Sequence, residues 1–178
     1  MAIRRKMISQ IAEELLNRNG IQAPPVPVQK IAEAIELQVQ KQELKGSDIS
    51  GFIFRQGEKA TIGVNSANAP VRQRFTIAHE LGHYLIHTRG AGEVHVDRLF
   101  EIKFRDDLSS QGTDADEREA NFFAAELLMP QQFIKADLEK VTQMDLEGGE
   151  ILANLASRYE VSTQALLFRL SYLGYIKQ

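Results

Sequence analysis

Two histidines separated by three residues, in His79-Glu80-Leu81-Gly82-His83, constrain this chain more than any other feature. An α-helix completes about one turn over that interval, so both imidazoles leave one side of the helix and can reach a common point. The surrounding residues agree. Phe75, Ala78, His79, Gly82, His83 and Ile86 fall on one side of a helix predicted from Pro70 to about His87, which puts the polar motif on the inward face.

This H-E-x-x-H spacing suits a metal ion, because both imidazole nitrogens can lie about 2 Å from one zinc. Glu80 leaves a different side of the helix and can stand beside a metal-bound water as a proton acceptor. The pattern arises by chance in about one shuffled chain in a hundred, so its weight comes from context. It lies on a predicted helix, with Phe75, Ile77, Leu85 and Ile86 available for packing, and a carboxylate sits on another predicted helix. The competing explanation is a solvated helix face that happens to carry two histidines and a glutamate.

A catalytic zinc usually takes three protein ligands, so a third is needed. His87 lies eight residues from His79, about 12 Å along a continuous helix, and is expected to cap the helix C-terminus instead. His95 falls in a loop-rich region and stays open as a ligand. Glu117 shares one face of a later helix with Asn121, Ala124 and Leu128, whereas Glu119 points elsewhere. Small Ala120 and Ala124 would let that helix pack closely on the first. Asn121 could hold the outer nitrogen of a ligating histidine. Spacing alone leaves Glu117 balanced between a ligand and an acid favoured by the helix dipole.

The chain has 178 residues, 43% of them hydrophobic, a formal net charge of -3 and no cysteine. Such a length supports one core, and a single domain spanning 1–178 is expected. Thiolate metal sites are excluded, and no general attraction to nucleic acid follows from the charge. Residues 1–20 read as an amphipathic helix closed at Asn19-Gly20, not as a signal peptide. With no apolar run long enough for a bilayer, a soluble, cytoplasmic protein with no membrane partner is expected.

A Pro-rich connection leads to a second helix carrying Ile31, Ala32 and Ile35. Three short strands follow, around Leu37, from Ile49 to Arg55 and from Lys59 to Asn65, with a fourth run from Val94 to Phe104 inside the loop region. The Glu117 helix is predicted to start at caps offered by Thr113 or Asp114 and to run to Met129, before Pro130. Residues 150–174 form a helical C-terminal portion.

The blocks from Arg72 to Leu85 (RQRFTIAHELGHYL) and from Glu117 to Pro130 (EREANFFAAELLMP) closely resemble the two defining motifs of the ImmA/IrrE family of metallopeptidases. A weaker resemblance extends from about Val28 to Leu173. It implies a zincin-like α+β fold, in which a small mixed β-sheet packs on helices and the H-E-x-x-H helix meets a Glu-bearing helix. It further implies Glu117 as the third zinc ligand beside His79 and His83, and Glu80 as the catalytic base. Family members are associated with cleaving or inactivating helix-turn-helix repressors in phage, mobile-element and stress-response circuits. The expected partner is accordingly an Xre-type repressor encoded nearby. In zincins an edge strand commonly binds substrate, which would place Lys59 to Asn65 beside the cleft.

Two rival readings stand beside this one. The stretch Leu152 to Leu173 has the look of a helix-turn-helix, although its second helix offers only Arg169 as a base, so core packing is the expectation. A non-catalytic anti-repressor with a zinc-stabilised fold is the other. Fe(II) or Mn(II) would also suit two histidines and a carboxylate.

Overall fold

In a computed structural model, the described residues are 3–44, 49–56, 59–87, 94–98, 113–139 and 149–176. The elements are α1 (Arg5–Arg18), α2 (Val28–Ala34), β1 (Leu37–Gln42), β2 (Ile49–Gln56), β3 (Lys59–Asn65), α3 (Pro70–Ile86), β4 (Val94–Arg98), α4 (Thr113–Leu128), α5 (Gln131–Leu138), α6 (Gly149–Tyr159) and α7 (Thr163–Tyr172). This is a mixed α+β architecture in which the helices supply most of the core. Among the described residues, no helix is long and apolar enough to cross a membrane.

On α1, Ile8, Ala12, Leu15 and Leu16 are buried, the one-sided spacing of an amphipathic helix. Gly20 closes it with φ +64, a conformation that costs glycine little. Helix α1 lies against α4, and α2 packs on β1 and α3. The expected strand from Val94 is present as β4, while residues 99–104 fall outside the described part. So do the side chains of the two expected caps, Thr113 and Asp114.

The four strands are ordered β1-β3-β2-β4. The β1–β3 pair is parallel, and β2 is antiparallel to both β3 and β4, so the sheet is mixed. This order overturns the expectation that Lys59 to Asn65 forms an edge. β3 is bonded on both sides, and its main-chain groups are committed to β1 and β2, leaving no ladder for an added strand. Burial explains the sequence pattern. Ala60, Ile62, Gly63, Val64 and Asn65 are all buried on β3, as suits a central strand, whereas β1 is largely exposed beyond Leu37.

Helix α3 crosses this sheet against β2 and β3. Close approach depends on Gly51, where a Cβ would collide with Thr76 Cγ2 and lie 2.7 Å from Gly63 O. At its C-terminal end, Arg55 of β2 donates to the carbonyls of Tyr84 and His87 at 2.8 and 3.3 Å, and its guanidinium lies 4.5 Å from the Tyr84 ring centroid. A cation there complements the negative end of the helix.

Helices α6 and α7 are core elements. Leu155, Ala156, Tyr159, Val161, Ala165, Leu166 and Leu170 are buried, and Ser162 caps α7 by accepting from Ala165 N at 3.1 Å. Arg169 is 2% exposed and donates to Glu126 Oε1 at 2.7 Å. The one base considered for a groove contact is therefore turned inward, which favours packing over helix-turn-helix recognition.

Candidate metal centre

Helix α3 carries His79, Glu80 and His83, and α4 carries Glu117 and Asn121. His79 meets Asn121, whereas His87 meets Glu119, so α4 runs antiparallel to α3. Gly82 sets the separation. A Cβ on it would lie 2.9 Å from Phe123 Cδ1 and 3.2 Å from Ala120 Cα. Ala120, Phe123 and Ala124 are fully buried at this seam.

Three side chains able to ligate a metal converge across the seam. His79 Nε2 and His83 Nε2 are 3.0 Å apart. Glu117 Oε2 is 3.2 Å from the first and Glu117 Oε1 is 3.3 Å from the second. Ligands about 2.0–2.1 Å from a tetrahedral zinc stand about 3.3 Å from one another, so the spacing matches such a site. Glu80 is fully buried one residue after His79.

Hydrogen bonding fixes which imidazole nitrogens can ligate. Asn121 Oδ1 lies 3.0 Å from His79 Nδ1. An amide oxygen only accepts, so Nδ1 carries the proton and Nε2 keeps its lone pair. His83 Nδ1 lies 3.1 Å from His87 Nδ1, and His87 Nε2 lies 3.1 Å from Glu119 Oε2. The Arg4 guanidinium, bonded to Glu119, holds that carboxyl at about 2, against the opposing effect of burial. As an anion, Glu119 accepts from His87 Nε2. His87 Nδ1 is then the acceptor for His83 Nδ1–H, and His83 Nε2 is left with a lone pair. Two lone pairs and a carboxylate thus face one another at about 3 Å, an arrangement that a divalent cation satisfies.

His87 is the C-cap residue of α3, with its N–H on His83 O, but its ring is buried against His83 and Glu119. His87, Asp116 and Glu119 could be mistaken for a second metal cluster. Glu119 is already bound by Arg4, through Nη2 at 2.6 Å, Nε at 3.1 and 3.2 Å and the backbone N at 2.9 Å. A cation would have to displace that guanidinium. Asp116 stands back at 3.6 Å from His87 Nε2.

The support formed by Arg4, Glu119 and His87 was missed in the sequence. One signal was present, since His87 repeats the four-residue step from His83. His95 lies on β4, and its side chain is outside the described part.

A helix bearing two histidines one turn apart, closed by a carboxylate from an antiparallel partner, defines the zincin-like class of α+β domain. Residues 32–171 match the family model described as the IrrE N-terminal-like domain, peptidase family M78, and the chain belongs to that metalloprotease family. Over 123 residues it is 37% identical to the radiation response metalloprotease IrrE of Deinococcus radiodurans, covering 64% of this chain and 31% of that protein. The chain thus spans about a third of that relative. A Mycobacterium tuberculosis transcriptional regulator shares the fold, with a TM-score of 0.61 at 16% identity over 93% of this chain and 46% of that one. The family match starts after α1, so Arg4 lies outside it.

Proposed function

We propose that this chain is a zinc-dependent endopeptidase with His79, His83 and Glu117 as ligands, Asn121 orienting His79, and Glu80 as general base. The observation that carries this reading is the convergence of two Nε2 lone pairs and one carboxylate beside a buried glutamate. Bound zinc would act as a Lewis acid toward the scissile carbonyl and would lower the pKa of water. Glu80 accepts the proton of the attacking water and returns it to the departing amine nitrogen, so one peptide bond breaks and one water is consumed. Glu80 suits this role because it neighbours the ligand His79 without belonging to the converging set.

The substrate proposed is an Xre-type helix-turn-helix repressor encoded nearby, cleaved in the cytoplasm to relieve repression in a phage, mobile-element or stress-response circuit. Membership of the M78 family supports the reaction class. The name of the Deinococcus relative supports a stress-response setting.

Elemental analysis of wild type beside Glu117→Ala tests the site. About one zinc per chain, falling sharply in the variant, is expected. Glu80→Gln tests the chemistry: metal and repressor binding persist while cleavage stops. Normal relief of repression by Glu80→Gln would show stoichiometric capture instead of proteolysis.

A further inference from the structure

A pocket of about 220 Å³ opens between α3, α4 and α7. Phe75, Phe122, Phe168 and Tyr172 place aromatic rings on its wall, and the small side chain of Ala125 leaves room between them. Apolar cavities of about 150 Å³ admit benzene, so a single substituted ring fits here. The proposed metal ligands do not line the pocket, and the reacting bond is not placed in it. Two of its wall residues nevertheless touch His79. Phe75 stacks on that imidazole, with ring centroids 6.3 Å apart and planes inclined by 29°. Asn121 Oδ1 accepts from His79 Nδ1 at 3.0 Å.

The surrounding charges select the occupant. The guanidinium groups of Arg5 and Arg169 lie 5.4 and 5.8 Å from the Tyr172 ring centroid, so the ring that would attract a cation already faces two. An anion fares no better. Arg169 is 2% exposed and paired with Glu126 at 2.7 Å, so it supplies no net charge, and a carboxylate would lose its hydration without compensation. One reachable donor stands between the pocket and the metal centre. With Oδ1 committed to His79, the other end of the Asn121 amide is its NH2 group. That Nδ2 makes no hydrogen bond with the described residues and is not sealed from solvent. Rings and donor together suit a flat, uncharged molecule with a carbonyl at its rim.

We propose that this pocket is an effector site for a small uncharged aromatic carbonyl compound, and that its occupation tightens metal binding. The carbonyl oxygen accepts from Asn121 Nδ2–H and so fixes the amide with Oδ1 on His79. Hydrogen bonds in such a chain reinforce one another, and His79 Nε2 is presented in one tautomer and one orientation. By reciprocity, the metal tightens binding of the compound by the same factor. This linkage rests on the metal-site reading given above, whereas the pocket itself does not.

The probes are acetophenone and α-methylstyrene, which share a shape while only the first carries a carbonyl. Both should bind the whole metal-free chain saturably, shifting the NMR signals of Phe75, Asn121 and Tyr172. Binding of both should be lost in Ala125→Phe, whose added ring fills the pocket. Zinc affinity, measured by competition with a chromogenic chelator, should rise at least about fivefold under saturating acetophenone and less than about twofold under α-methylstyrene. No saturable binding of acetophenone, shifts confined to other residues, or unchanged binding in folded Ala125→Phe would overturn the site. Equal effects of the two compounds on zinc affinity would overturn the linkage through Asn121. Should Ala125→Phe fail to fold, the shifts in wild type still locate the site. A wild type that binds both compounds but no zinc sinks the peptidase reading and leaves the pocket standing; full zinc content without acetophenone binding sinks the pocket alone.

Discussion

His83 Nδ1 and His87 Nδ1 lie 3.1 Å apart, close enough that one ring must donate and the other accept. Glu119 decides which, because its carboxylate takes the His87 Nε2 proton at 3.1 Å. Replacing His87 by Leu removes the acceptor that orients His83. Metal affinity, measured by competition with a chromogenic chelator, should fall by about 10–100-fold. An affinity unchanged within about twofold would mean that packing alone orients His83.

Arg4 acts one step further out. Its side chain is 49% exposed, against 6% for Glu119, so solvent screens much of the pair. Arg4→Gln keeps the backbone N–H on Glu119 and should cost on the order of 1 kcal/mol, seen as a melting temperature lower by about 2–4 °C. Its effect on metal affinity should be smaller than that of His87→Leu, since Glu119 still faces His87. A larger effect than that of His87→Leu would contradict the order of contacts.

Much of this was legible in the sequence because it depends on local periodicity. The i, i+4 histidines required a helix, Gly20 marked the end of α1, and Glu117 and Asn121 one turn apart shared a face. What escaped depends on contacts distant in the chain. Arg4 and Glu119 are 115 residues apart, and no local pattern pairs them. Strand order was hidden for the same reason, since β3 looks alike at an edge or in the middle until its partners are known. Arg169 invited the opposite error, because a lone base on an apparent second helix looks exposed, whereas its partner Glu126 lies 43 residues away.

Tyr159 links stability to alkaline pH. Its side chain is fully buried and its hydroxyl donates to Asp137 Oδ2 at 2.9 Å. Burial first, and the Asp137 hydrogen bond second, push it well above its ordinary value of 10.0. The raised group contributes stability that is intact below the unfolded pKa and lost as pH climbs above it. Stability should therefore decline above about pH 10, by up to ~1.4 kcal/mol per pH unit from this group. Tyr159→Phe should cost about 1 kcal/mol near neutrality and make that decline shallower. Urea melts at about pH 8 and about pH 11 compare the two chains; parallel declines would remove Tyr159 as a cause.

Gly82 lies inside the histidine motif yet faces the helix seam. An alanine there gains up to about 1 kcal/mol of helix propensity. Its Cβ would also press on Phe123 Cδ1 at 2.9 Å and on the Ala120 backbone at 3.2 Å, and such overpacking costs about 1–3 kcal/mol. The two terms largely offset, so Gly82→Ala should lose at most about 2 kcal/mol of stability. The proposed metal centre has no such offset, because its candidate ligands straddle the seam and widening it moves Glu117 away from both histidines. Metal affinity should accordingly fall more than global stability does, and Phe123→Leu in the same chain should restore part of it by giving the new methyl room. If Gly82→Ala binds metal as tightly as the wild type, the separation of α3 and α4 is not what holds the three proposed ligands together.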